Sequence, residues 1–358
     1  MSQYNPHLFI HEKDIQLSLQ TQKLLSQAEQ TYFEHFNGET WYGRCIFISW
    51  YCSLADCTFC YRSTPKHQKM HPATAKRSMA SILLETLFCK IFNWRIEFLT
   101  GGYGIMPFSE LLEIIKNVSI VYGDKIWLNL GVLSSQQIEQ CKPYVEGICA
   151  SMETLHPTLH NQVCPRKPVA PYDAMLSRLH GFKKSIAVII GLGDTFQDMH
   201  YLFDFIEKHQ LDRITVYALK PVKGTPFTQG PSVEEYVTWI ASLRLRFPKL
   251  EIIAGTNLRR CEEIAYLMKA GANAITKFPA TKQFATQKAK LIEQIIKKEK
   301  RNFISNITTY QDIHWEQEID KLNISENYKK EMKEKIGPYL KSFKNPVDKD
   351  QTLQVLSC

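Results

Sequence analysis

The chain is predicted to be an α/β protein, a (β/α)8 TIM barrel with helical extensions at both ends, and three observations predict it. Eight short runs rich in β-branched and aromatic residues recur between residues 45 and 278. Each is close to continuously apolar, as strands covered on both faces are, rather than alternating. Amphipathic stretches of helical period separate them. Eight such units suit a closed barrel better than an open doubly wound sheet.

Taken in order, residues 1–38 form a polar, mostly helical extension (LSLQTQKLLSQAEQTYFEHF) that ends at the turn signal Asn37-Gly38. Residues 39–300 carry the barrel, with strands expected at CIFISWY (45–51), RIEFLT (95–100), KIWLNLGV (125–132), GICASME (147–153), SIAVIIG (185–191), RITVYAL (213–219), LEIIAGT (250–256) and NAITKF (273–278). The stretches PATAKRSMASILLETLFCKIF, PSVEEYVTWIASLRLRF and CEEIAYLMKAG supply connecting helices, the last with Gly271 as its stop signal. Residues 301–358 are read as a charged helical appendage with a loose tail after Pro346. In such a barrel the chemistry sits in the βα loops, where the strands end.

The chain has 358 residues, 44% of them hydrophobic and 22% charged, which excludes disorder, and its 10 cysteines are too few for a disulfide miniprotein. No apolar run reaches membrane-span length, and MSQYNPHLFIHEKD lacks the basic-then-apolar pattern of a secretory signal. A cytoplasmic protein with reduced thiols is therefore expected, its cysteines serving as metal ligands or small buried hydrophobes. The net charge of +8 lies largely in the Lys-rich stretch from Lys282 to Lys349, so nucleic-acid binding is not indicated by it.

The first strand runs into Cys52-SLAD-Cys57-TF-Cys60, a CX4CX2C loop that arises by chance in about 0.8% of chains this rich in cysteine. Three readings compete. A structural zinc takes four ligands, and His67 or His71 could complete Cys57 and Cys60, leaving Cys52 surplus and making the protein a zinc-stapled nucleic-acid binder. Inert buried cysteines are the second. The third is an iron–sulfur cubane held by three thiolates, whose uncapped iron is free to chelate the amino and carboxylate groups of S-adenosylmethionine (SAM).

Three cysteines after barrel strand one resemble the radical-SAM superfamily, whose commonest spacing is one residue shorter in the first gap. Phe59 matches the aromatic position that packs beside the adenine there. Thr100-Gly101-Gly102 resembles the glycine motif that takes the methionine amino group, with Tyr103 where an acidic residue is usual. GLGDTFQD (191–198), VKGTPF (222–227) and AGANAI (270–275) resemble segments of the biotin synthase branch. Within it, CSLADCTFCYRST, ETLHPTLHNQVCPRKP and AITKFPATKQF look most like the maturase family that helps build the iron–guanylylpyridinol cofactor of [Fe]-hydrogenase.

The resemblance implies a [4Fe–4S] cluster on Cys52, Cys57 and Cys60, with SAM beside it. Thr100, Gly101 and Gly102 would hold the methionine end, Glu153 and Arg166 ribose and carboxylate, and Phe59, Ile190 and Gly191 the adenine. Asn129 is a further cofactor contact. Tyr217, Lys220, Thr256, Asn257 and Lys277 are expected to face a small-molecule substrate in the lumen, and a low-potential electron donor is implied as partner. Sulfur insertion of the biotin synthase kind is the alternative. It needs an auxiliary cluster, for which Cys89, Cys141, Cys149, Cys164 and Cys261 are scattered over different elements.

Overall fold

The computed structural model describes residues 15–311 and 313–346; the first fourteen residues and the tail expected after Pro346 lie outside the described residues. Eight parallel strands close into a barrel: β1 (Glu39–Phe47), β2 (Arg95–Thr100), β3 (Ile126–Asn129), β4 (Val145–Glu153), β5 (Lys183–Ile190), β6 (Arg213–Ala218), β7 (Glu251–Gly255) and β8 (Ala274–Thr276). Each pairs with the next, and β1 pairs with both β2 and β8, so the ring has no open edge. A two-residue β9 (Asn302–Phe303) extends the sheet beside the start of β1. Among the described residues no helix is long and apolar enough to cross a membrane.

The first strand begins at Glu39, not Cys45. Trp41, Tyr42 and Gly43 pair with Ala274, Ile275 and Thr276, so the Asn37-Gly38 turn leads straight into the sheet. At its far end Ser49 and Trp50 leave the ladder, because the Arg62 guanidinium takes the carbonyl oxygens of both, at 3.1 and 2.9 Å. The third strand is also shorter than its apolar run, ending at Asn129.

Side-chain alternation sorts each strand into two faces. One face, with Ile46, Leu128, Val188, Ile190 and Ile252, packs against the helices. The other fills the lumen with Cys45, Phe98, Trp127, Cys149 and Ala187. A bulge interrupts the order in β2: Arg44 pairs with Ile96 and Cys45 with Phe98, so Glu97 is skipped. Bulges re-aim a side chain, and here the Glu97 carboxylate turns inward.

The floor of the barrel is sealed at the strands' N-terminal ends. The Arg213 guanidinium lies 4.0 Å from the Trp127 ring centroid and 5.4 Å from that of Trp41, while its Nε donates to Glu251 at 2.5 Å. Stacked, ion-paired guanidinium satisfies its charge without water. The lumen therefore opens only at the C-terminal ends.

Helix Leu19–His35 starts at the Ser18 cap, whose hydroxyl accepts from Thr21 N–H. It docks through Tyr32, which is fully buried under Arg301, the guanidinium 3.3 Å from the ring centroid. Helix Glu326–Lys344 leans on helix Met79–Ile91, with Phe343 edge-on to Phe88 at 5.1 Å.

Candidate active site

The three cysteines of the loop after β1 are each half-buried at the open end of the barrel. Backbone contacts fix the loop from two sides. Ser53 N–H donates to Tyr103 O and Thr58 N–H to Val163 O, both at 2.9 Å, tying the loop to the segments that follow β2 and β4. Tyr103 N–H donates to Cys52 Sγ at 3.3 Å. Cys164, buried one shell away, hydrogen-bonds Cys57, which pulls the Cys57 thiol below its ordinary range and pushes Cys164 above its own. Lys167 adds to the pull on Cys57, while burial pushes the Cys60 thiol up.

Two thiols thus carry hydrogen bonds on their sulfurs, and one is drawn toward the thiolate, the ligating form. Hydrogen bonds to sulfur are also among the levers that tune iron–sulfur centres. This donor set fits a thiolate-held cluster. Among the described residues no three or more His, Cys, Asp or Glu side chains are gathered to hold a single ion, the three cysteines included. His71 Nδ1 accepts from Ala73 N–H as a helix cap, and His67 Nδ1 lies 3.0 Å from the Thr64 hydroxyl.

Gly102 makes room for the cysteine loop. A Cβ there would stand 1.8 Å from Tyr51 O and 2.6 Å from Cys52 Cβ, so only glycine lets β2's exit touch the cysteine loop. Gly101 is crowded instead by Ile105 and Ile48. Gly102→Ala is expected to displace Cys52, costing about 1–3 kcal/mol as overpacking does. Iron bound per chain after anaerobic reconstitution should fall while secondary structure, read by circular dichroism, is retained.

Strand ends carry the next group. Thr100 Oγ1 donates to Asn129 O, and Asn129 Oδ1 accepts from Ser151 Oγ, both at 3.0 Å, a polar chain across β2, β3 and β4. Glu153 ends β4 with φ +63°, in the left-handed region where a non-glycine is strained. Its carboxylate meets Lys167 Nζ at 2.5 Å, and both side chains are about nine-tenths buried. Burial is the largest effect on Lys167 and opposes its charge, but Glu153 together with Cys164, Cys57 and Tyr172 outweighs it and raises the ammonium's pKa. Asp194 accepts from the Thr154 hydroxyl at 2.5 Å, and Thr195 caps the short helical turn Phe196–Asp198.

Several expected contacts are corrected. Arg166 lies 60% exposed at the rim, with Nε on Asp56 at 2.7 Å and Nη2 on Leu54 O, so it braces the cysteine loop and Lys167 is the cation beside Glu153. Ile190 faces the helices, and Ile189 is the residue that packs with Phe59, Cys57 and Leu192. Gly191, at φ +101°, turns the chain under Pro231. Thr256 points away from the lumen, its hydroxyl on Arg260 O at 3.1 Å, and Asn257 accepts from Arg259 N–H within its own turn. Thr276 takes the inward position instead. Lys220 is exposed at the rim.

Tyr217 and Lys277 do reach the lumen, together with groups that alternation alone misses. Glu97, fully buried, collects Cys45, Thr215, Tyr217 and Thr276 around its carboxylate. Lys277 follows β8 with φ +70°, and that left-handed turn brings Nζ to 3.7 Å from Cys45 Sγ.

The chain is similar to known proteins in ways that match this geometry. The profile of the Biotin and Thiamin Synthesis associated domain matches residues 215–302, from β6 through β9. An uncharacterised protein of Methanocaldococcus jannaschii is 33% identical over 347 residues, covering 92% of this chain and 96% of that one. The biotin synthase of Clostridium tetani is 27% identical, over 50% of this chain and 58% of its own length; that of Thermotoga neapolitana is 23% identical, over 62% and 82%. Among solved structures, methylornithine synthase superposes with TM-score 0.64 (20% identity; 73% of this chain, 79% of that one). The [FeFe]-hydrogenase maturase HydG of Carboxydothermus hydrogenoformans gives 0.62 (16%; 78% and 71%). The three thiols at the mouth of a closed barrel, the matched segment and these likenesses point the same way, and the 33% identity over nearly the whole of both chains shows that the chain belongs to one family with the Methanocaldococcus jannaschii protein.

Proposed function

We propose that the chain cleaves SAM at a [4Fe–4S] cluster on Cys52, Cys57 and Cys60, and uses the resulting radical on a small molecule in biosynthesis of the iron–guanylylpyridinol cofactor of [Fe]-hydrogenase. The observation that carries the reading is a half-buried cysteine loop, two of its three sulfurs hydrogen-bonded, set over a lumen closed at the far end. The assignment to this cofactor is supported by the segments around the cysteines, after β4 and after β8 quoted above. When bound, the cluster supplies the single electron that splits the sulfonium bond and releases a 5′-deoxyadenosyl radical.

The protein's own part is positioning and shielding. Glu153, steadied by Lys167, takes the ribose hydroxyls or offsets the sulfonium charge. Thr100 holds the Asn129 backbone and Ser151 its side-chain carbonyl, so the strand ends present a fixed polar rim. Phe59 and Ile189 give the adenine an apolar wall. The sealed floor keeps bulk water out from below. A low-potential one-electron carrier in an oxygen-poor cytoplasm completes the system.

Sulfur insertion is disfavoured by the cysteine placement. Cys89, Cys141 and Cys261 lie in the outer helical layer, Cys164 against Cys57, and Cys149 and Cys45 are the lumen thiols among the described residues. The test is anaerobic reconstitution followed by reduction with SAM and candidate pyridinols. About four irons per chain, 5′-deoxyadenosine and a modified pyridinol are expected. Zinc without cleavage of SAM refutes the radical chemistry. Cleavage that no pyridinol alters refutes the pathway alone.

A further inference from the structure

Below the rim lies a layer built around one carboxylate. Glu97 Oε1 accepts from Thr215 Oγ1 at 3.0 Å and Tyr217 OH at 2.8 Å, and Oε2 accepts from Cys45 Sγ at 2.9 Å and from the Thr276 hydroxyl. A carboxylate has about four lone-pair sites; Thr215, Tyr217 and Cys45 fill three, and the Thr276 hydroxyl, also 2.9 Å from Gly43 O, shares its single hydrogen between that carbonyl and the fourth. Such saturation lets an ionised group persist without water. Thr215 and Thr276 offer strong aliphatic O–H bonds; the Cys45 S–H and the Tyr217 phenolic O–H are the two weak bonds to hydrogen, and of these a thiol gives its hydrogen atom to a carbon radical the faster.

The layer is open to a ligand from above. Cys45 keeps 8% of its surface exposed, whereas Cys149, the other lumen thiol among the described residues, keeps none. Lys277 Nζ stands 3.7 Å from Cys45 Sγ, 4.6 Å from the Tyr217 ring centroid and 5.6 Å from that of Phe47. It makes no ion pair among the described residues. Lys277 is exposed at the open end, so its solvated ammonium is free to meet an anionic group of a molecule entering the lumen.

Resting on the radical-SAM reading, we propose that Cys45 is the hydrogen-atom donor of the lumen, its S–H held in place by Glu97, and that it quenches a carbon radical of the molecule seated beside Lys277. The S–H bond breaks homolytically and a C–H bond forms. The carbon radical becomes a closed-shell C–H, and Cys45 is left as a neutral thiyl radical. One electron from the low-potential carrier that also reduces the cluster, with one proton from solvent, restores the thiol. No net charge is created in the buried layer during the transfer, which avoids the desolvation cost of an ionic step. A thiolate has no hydrogen atom to give, and burial together with the Glu97 carboxylate pushes the Cys45 thiol up to about 12, so it stays protonated at neutral pH.

The experiment needs no substrate. Reconstituted enzyme in D2O, given SAM and dithionite, cleaves SAM abortively, and the nucleoside radical then takes whatever hydrogen lies nearest. The 5′-deoxyadenosine from the native protein is expected to carry one deuterium from Cys45 S–D. In Cys45→Ala the deuterated fraction of the nucleoside formed should fall by about tenfold or more. Cys45→Ser preserves size and the bond to Glu97 and should lose the label too, which separates the chemistry from packing. Tyr217→Phe should keep it.

In the metal-free protein, the Raman S–H band lowered by the Glu97 contact should vanish in Cys45→Ala and move up in Glu97→Gln. Unlabelled nucleoside from the native protein, equal labelling in Cys45→Ala, or labelling lost in Tyr217→Phe but kept in Cys45→Ala would each overturn the assignment. Absence of any 5′-deoxyadenosine, with zinc bound, would instead overturn the radical-SAM reading and this assignment with it.

Discussion

Cys52→Ala is expected to yield a folded protein that fails to take up its cluster and forms 5′-deoxyadenosine at background. Altering groups that merely support a metal ligand typically costs 10–100-fold; removing one of three ligands should cost about 10³-fold or more. The loop is half-buried and its anchors, Arg62 on Ser49 and Trp50 and Thr58 on Val163, do not involve the Cys52 thiol. The melting temperature of the metal-free protein should therefore scarcely move. Iron analysis, the electron paramagnetic resonance of the reduced sample and chromatography of the nucleoside supply the readouts. A protein that keeps a full metal complement after this change would hold that metal elsewhere, as a zinc site on Cys57, Cys60 and the histidines would.

Lys167→Met should be the most destabilising single change at the rim. It strands the Glu153 carboxylate, whose side chain is only 12% exposed, without the ammonium 2.5 Å away. Breaking a buried pair from one side costs about 3–5 kcal/mol, roughly 5 °C in melting temperature for a chain of this size. The double variant Lys167→Met, Glu153→Gln should recover a large part, because the orphaned charge is gone. The sign of the pH dependence follows from the direction of the lysine shift. Lys167 is raised in the folded state, so its contribution is complete below the unfolded lysine value of about 10.4 and is lost as pH rises through the folded value. Denaturation of metal-free protein from pH 6 to 9 should show a constant gap between native and variant.

The fold and the cysteine loop were legible because both rest on signals that survive local error. Eight apolar runs at barrel spacing do not depend on where each strand starts, and a CX4CX2C loop is read without knowing any side chain's direction. Asn129 and Tyr217 were found because each sits near a strand's C-terminal end on the lumen side, and Glu153 because it closes β4, although the ladder shifts register there. Ile190 and Thr256 were misplaced by one residue each, since a period of two turns that slip into a change of face.

Glu97 was hidden by the bulge opposite Cys45, which no alternation pattern encodes. Cys45 was hidden because β1 starts at Glu39, putting that thiol in mid-strand instead of at its start. Lys277 reaches inward only through its left-handed backbone, and Lys167 was passed over for Arg166 because the two adjacent cations differ in burial, not in sequence context.

The Trp41, Arg213 and Trp127 plug gives the molecule a single doorway. With the proposed nucleoside lodged at that doorway like a stopper in a flask, traffic becomes a queue: the smaller guest must already be inside when the stopper arrives, and the spent stopper must leave before the altered guest can follow. Steady-state kinetics then take a compulsory-order form, and an unpaired electron made within stays sequestered from dioxygen for as long as the flask is corked.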